Sequence, residues 1–176
     1  MRNLAGIAGL GLLVAGCGTS PSPEPYRPVQ RSRPPVVRSI SISPAQYVST
    51  ASSASLYVIK ASQLISERTG NSAIGNTARQ FVSEQEGVGS QLSFAGRRLN
   101  LLPAAALSPA HQAMFDALSA SPDPARTYVT QLSTLLRQTA IFHRQYERYG
   151  TSPTLRPVAS MAAPVFEREL SQLRGL

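Results

Sequence analysis

The sequence predicts an all-α protein, a ferritin-like four-helix bundle with a short extra helix in the long crossover between helices two and three. Three observations predict it. From Gln46 onward apolar residues recur at spacings of three and four, the period of a helix with one buried face. The four segments that carry this period are each long enough to span a bundle. Residues 100–122 separate the second from the third, and a connection of that length lets those two helices run parallel, the ferritin-like arrangement, instead of up-down-up-down.

The first long helix is expected over 46–69. Its stripe is Val48, Ala51, Ser55, Val58, Ala61 and Ile65, with Pro44 just before it and Gly70 in the C-cap position. The second, over 71–99, has the most regular pattern: Ala78, Phe81, Gln85, Val88, Leu92, Ala95 and Leu99. Asn71 or Ser72 supplies an N-cap oxygen. Gly87 and Gly89 interrupt this helix, follow no strand, and therefore do not form a phosphate cradle; close helix approach is their expected role. The short helix, 109–119, starts with Ser108 as cap and Pro109 as first residue, and its apolar side is Ala113, Met114, Ala117 and Leu118.

The third long helix, 123–149, has the stripe Tyr128, Leu132, Leu135, Thr139, Phe142, Tyr146 and Tyr149 and stops at Gly150. The fourth, 153–174, reads Leu155, Val158, Ala162, Val165, Glu169 and Leu173, with Pro164 predicting a kink near 160–164. The one run with any strand character is Val36 to Ser43, short and flanked by prolines.

The N-terminus is organised differently. Arg2 precedes 13 residues, 4–16, that are all apolar or glycine. As a helix this run spans roughly 20 Å, too short for a hydrocarbon core of about 30 Å, so it reads as an export signal and not a span. It ends Val14-Ala15-Gly16-Cys17 and resembles a bacterial lipoprotein signal: an apolar residue, two small residues that let a peptidase reach the backbone, and a thiol that takes the lipid. Residues 1–16 are then the signal and Cys17 the lipidated first residue of the mature chain. Two or three acyl chains hold a protein on a membrane where one does not, at about 0.8 kcal/mol per buried methylene. Gly18 follows, and in lipoproteins that this segment resembles an aspartate there marks inner-membrane retention, so its absence implies the outer membrane, facing the periplasm.

Residues 17–45 form the tether. Seven of the 14 prolines lie between 18 and 45, with Arg27, Arg31, Arg33 and Arg38 against Glu24. Such a stretch favours extended polyproline geometry, with a reach on the order of 80 Å at about 3.1 Å per residue. The domain is 46–176.

Composition narrows the chemistry. The 176 residues carry a formal charge of +8, and the basic residues are all arginine except Lys60. One of the eight charges falls in the signal, three in the tether and four in the domain. A single cysteine excludes an internal disulfide framework and multi-cysteine metal sites, and two histidines exclude a three-histidine metal site. His111 opens the short helix, where it helps cap or pack the crossover; His143 flanks its stripe and is expected at the partly exposed surface. Neither sits in a readable triad. Arg137, Arg144 and Arg148 stand at i, i+7 and i+11 along one helix side, where they are candidate contacts for anionic lipid or another anion. No aromatic platform or nucleic-acid motif accompanies them, so no nucleic-acid partner is expected.

The order of several pieces is similar to exported bacterial proteins grouped as domain-of-unknown-function family 4142: SLYVIKASQLI in the first helix, FVSEQE in the second, LNLLPAAALSPAHQAMFDAL in the crossover, YERYG closing the third, and LRPVASMAAPVFEREL in the last. The resemblance covers 46–176 and implies a ferritin-like bundle. Ferritin-like metal sites draw Glu and His from several helices, typically as Glu-x-x-His. This chain has no Glu-x-x-His. Aligned on the family, Val58 stands in place of a helix-one Glu, Glu84 and Gln85 in place of Asp-His, Leu136 in place of a His, and Glu169 in place of a closing His. What remains is Gln85 and Glu169 on inward stripes, a candidate buried polar pair, with Glu84 beside them as a remnant of a ligand set. The expectation is a protein without catalytic residues, metal or cofactor, an outer-membrane lipoprotein whose partners are the membrane, through its lipid, and an envelope protein or anionic lipid. The alternative is a ferritin-like metal-binding or redox protein with a degenerate carboxylate site at Glu84, Gln85 and Glu169.

Overall fold

A computed structural model describes residues 41–176. The signal, Cys17, most of the tether and residues 36–40 of the possible strand lie outside the described residues; 41–43 are not a strand. Five helices follow in order: α1 Pro44–Arg68, α2 Ser72–Arg97, α3 Pro109–Ser119, α4 Pro124–Tyr149 and α5 Arg156–Leu173. No strand occurs among the described residues.

Local chemistry sets most boundaries. Ser43, Asn71, Ser108 and Asp123 each accept from a backbone N–H of the first turn that follows. Pro44, Pro109 and Pro124 occupy first helical positions, where the missing N–H would have no partner. For this reason α1 starts at Pro44, two residues before the expected start. Its end also differs from expectation: Thr69, in extended conformation, is the C-cap in place of Gly70. Asn100 at φ 56° provides the left-handed residue after α2, and the Leu101 N–H returns to the Gly96 carbonyl at 2.9 Å. α5 passes through Pro164 without interruption.

The side-chain contacts give the topology. The Tyr47 hydroxyl meets His143 Nδ1 at 3.0 Å, near the start of α1 and the end of α4, while Ser62 Oγ meets the Tyr128 hydroxyl at 2.8 Å at the other end. These two contacts make α1 and α4 antiparallel. α1 and α2 are joined by three residues and form an antiparallel hairpin, so α2 runs parallel to α4, as the long crossover predicts. α4 pairs with α5, and α2 faces α5 across the bundle. α3 lies in the crossover against α1 and α4, with Leu118 fully buried and Met114 and Phe115 partly so. Ala113 and Ala117, expected on its apolar side, are exposed, because Phe115 turns toward the core in their place.

The apolar interior forms two clusters. The larger is built around Tyr57, Phe81, Tyr128, Leu132 and Phe166; the smaller, around Tyr47, Leu92, Tyr146 and Leu155, sits at the end where the described chain begins. Gly87 and Gly89 face open space and bring no helix close. At Gly96 an added Cβ would collide with the Leu101 carbonyl oxygen, in the segment that folds back on the end of α2. No described helix is long and apolar enough to cross a membrane.

Candidate functional site

The inward stripes of α2 and α5 bring Gln85 and Glu169 together. Both are fully buried. Gln85 Nε2 donates to the two Glu169 carboxyl oxygens at 2.9 and 3.1 Å, so the sequence-predicted polar pair is a direct contact between facing helices. Burial raises the Glu169 pKa to about 8, and the neighbouring Glu84 charge pushes the same way. The Gln85 hydrogen bond and Arg168 oppose that rise without cancelling it. Near neutral pH the carboxyl is mostly protonated.

Glu84 sits one residue along α2, at the edge of the pair. It accepts from Gln80 at 2.9 Å and lies 3.3 Å from the Arg168 guanidinium, half-exposed on α5. One carboxylate of the degenerate set is thus held by a surface arginine, and the other by an amide. Among the described residues Gln85 Oε1 and Ser55 Oγ are buried without a hydrogen-bond partner. On the α1 side the polar contacts continue from Ser62 to Tyr128, whose hydroxyl burial and the nearby Glu169 hold above its ordinary pKa.

A second polar centre was not legible in the stripe. His143 is buried, not surface-exposed as its flanking position suggested. It stands between Ala140 of the larger apolar cluster and Tyr146 of the smaller, its ring 5.1 Å from Phe166 and edge-on to Tyr47. α4 buries a face wider than its stripe, and Ala140 and Leu136 mark the extra width. Burial lowers the His143 pKa to about 4, so the ring is neutral. Tyr149, expected on the buried stripe, is 74% exposed, because α4 ends there and the bundle no longer covers it. His111 does pack the crossover: its Nδ1 lies 2.7 Å from Ser53 Oγ, which also accepts from the Ser108 backbone N–H.

Arg137, Arg144 and Arg148 of α4 line one surface cleft with Ile141, Tyr149 and Glu167. They are not equivalent. Arg144 is committed to Glu167 by two bonds of 2.9 and 2.8 Å and to Glu147 at 3.2 Å. Among the described residues Arg137 and Arg148 make no ion pair. No group of three or more His, Cys, Asp or Glu placed to hold a metal occurs among the described residues. Glu84, Gln85 and Glu169 offer two carboxylates and an amide, one carboxylate mostly neutral near pH 7, a poor set for a divalent cation.

No curated protein and no solved structure matches the chain. Residues 32–176 match the family model described as Domain of unknown function (DUF4142), which takes in the whole bundle together with the residues that lead into it. The chain therefore belongs to the DUF4142 family.

Proposed function

We propose that this protein is an outer-membrane lipoprotein that holds its helical bundle in the periplasm, as a non-catalytic binding or envelope-maintenance protein. One observation carries the reading: the chain's single cysteine stands at the end of a 13-residue apolar run, directly behind Val14-Ala15-Gly16. A thiol there is placed for lipid transfer, and the proline-rich segment after it is suited to hold a domain away from the bilayer. The bundle is consistent with a binding role. Inside it Glu169 pairs with Gln85 and His143 with Tyr47, and Arg97, Arg98 and Arg148, unpaired among the described residues, are on the outside.

The expected result is that labelled palmitate enters the parent protein and is lost in Cys17→Ser, while the protein moves from the outer-membrane fraction to the soluble periplasm. A Cys17→Ser variant that remains acylated and sediments with membranes sinks the proposal.

The convergence of Glu84, Gln85 and Glu169 on facing helices favours a second reading, a ferritin-like metal-binding or redox protein with a degenerate carboxylate site. Elemental analysis of the purified protein separates the two. The non-catalytic reading expects less than about a tenth of an equivalent of iron, manganese or zinc, given so neutral a ligand set. A stoichiometric metal that disappears in Glu169→Ala decides for the second.

A further inference from the structure

The end of the bundle at which the chain enters differs chemically from the rest of its surface. Ile42 packs there beside Gln145, Tyr146 and Tyr149. α2 and α4 finish at this end and α5 begins there. The last turns and caps of α2 and α4 supply Arg97, Arg98 and Arg148, all exposed, and among the described residues none of their side chains makes an ion pair or hydrogen bond. The three most exposed large apolar or aromatic side chains of the described residues are at the same end: Phe94 at 67%, Leu102 at 73% and Tyr149 at 74%. At the opposite end, Arg68, Arg126 and Arg174 are interspersed with Glu67, Asp116 and Asp123.

The carbonyl ends of α2 and α4 account for basic residues in their last turns. They do not account for a phenylalanine and a tyrosine left in water beside those arginines, or for a leucine exposed at the same end. Glu147, the acidic residue beside Arg148, is paired with Arg144. Arginines that make no ion pair among the described residues, together with exposed aromatic and aliphatic side chains, match the headgroup layer of an anionic bilayer. Phosphates there pair with the guanidinium groups, while the rings settle at the level of the glycerol backbone.

The geometry points to this end of the bundle, marked by Arg97, Arg98, Arg148, Phe94, Leu102 and Tyr149, as a docking surface for an anionic phospholipid bilayer. Charge complementarity selects the occupant. Chain connectivity supports it, since the segment from Cys17 reaches the domain at Ile42, so an anchored chain presents this end to the membrane first. In that respect the inference rests on the lipid-anchor reading. A docked bundle stands on the bilayer with the α1–α2 and α4–α5 hairpins upright, and its reach is then much shorter than the tether alone allows.

The test uses the mature chain carrying Cys17→Ser, which has no lipid, so the surface is measured apart from the anchor. The protein contains no tryptophan, so Tyr149→Trp places a single fluorophore in the surface. With phosphatidylethanolamine vesicles containing about 30% phosphatidylglycerol, its emission is expected to shift to the blue. The shift should be lost with phosphatidylcholine vesicles and at about 0.5 M salt, where screening lengths fall to a few ångströms. Arg97→Glu/Arg148→Glu is expected to weaken binding about tenfold or more. Arg126→Glu/Arg174→Glu, equal in charge change but at the far end, should alter it less than about twofold. Thermal melts establish that both variants fold. Equal weakening by the two pairs shows net charge acting through the tether and overturns the inference. Vesicle binding without a shift in emission overturns it too. So does displacement by millimolar glycerol phosphate, which identifies a soluble anion as the ligand. Failure here with palmitate still on Cys17 removes the docking surface and leaves the anchor standing; the reverse pattern removes the anchor alone.

Discussion

Glu169→Gln is expected to make the protein more stable at alkaline pH and to reverse the sense of its pH dependence. Glu169 has an ordinary pKa of 4.5 and a folded pKa raised to about 8, so between those values the native state holds a proton that the unfolded chain has released. Stability contributed by such a group is fully present below pH 4.5 and is lost as pH rises through 8. His143 works in the opposite sense. Its pKa falls from 6.5 to about 4 on folding, so its contribution is fully present above pH 6.5 and is lost as pH falls through 4. Between 4.5 and 6.5 the two slopes oppose each other, and the parent protein is expected to have a broad stability maximum there. From pH 6 to pH 9 its unfolding free energy should fall by on the order of 2 kcal/mol. The groups that face Glu169 are Gln85, Glu84, Arg168 and Tyr128. Replacing the carboxyl with an uncharged amide of the same shape leaves Gln85 Nε2 an acceptor and removes the alkaline loss. The variant should be nearly flat above pH 7 and should now fall on the acid side, where His143 is no longer balanced. Urea unfolding across pH 4 to 9 reads both limbs. A variant whose stability declines above pH 7 as steeply as the parent's shows that Glu169 is already ionised in the native state.

What was legible in the sequence follows from which physical signals are local. The starts of α2, α3 and α4 were readable to within a residue because caps and first-position prolines act within one turn: Ser108-Pro109 and Asn71 do in the structure what their chemistry implies. By contrast α5, which has no side-chain cap, starts at Arg156, three residues after its expected start. The parallel course of α2 and α4 followed from crossover length alone. Gln85 and Glu169 could be placed inward because each falls in step with its apolar stripe, and two polar residues on facing inward stripes find each other. The failures concern width, not period. A stripe chosen at spacings of three and four marks one line on a helix, whereas a helix in a bundle buries a band against two neighbours. Phe166 and His143 lie in that band, one residue from the lines drawn through Val165 and Phe142, and both are buried. The signal that could have found Phe166 is its place four residues after Ala162 and seven after Ala159. Gly87 and Gly89 failed for a different reason: spacing does not tell which side of a helix meets a neighbour, and both face open space.

Phe166→Ala is expected to cost about 3–5 kcal/mol at pH 7, the range for removing a fully buried aromatic ring from a close-packed core. For contrast, Ile141→Ala, on the same helix pair but 53% exposed, should cost less than about 0.5 kcal/mol. The size of the Phe166 effect has a consequence beyond stability, because the ring packs 5.1 Å from the His143 imidazole. Desolvation is the cause of the lowered His143 pKa, and Phe166 is part of the apolar wall that produces it. His143 Nε2 has no hydrogen-bond partner among the described residues, so it is ready to take a water that enters the space vacated by the ring. Hydration brings the folded pKa back toward 6.5 and removes the acid penalty that the parent carries. The cost of Phe166→Ala should therefore be smaller at pH 4.5 than at pH 7, and the His143 titration followed by NMR should move upward. If the cost is the same at both pH values and His143 does not move, the cavity has collapsed without admitting water. The remaining wall of Tyr47, Phe142 and Tyr146 then suffices to keep the ring neutral.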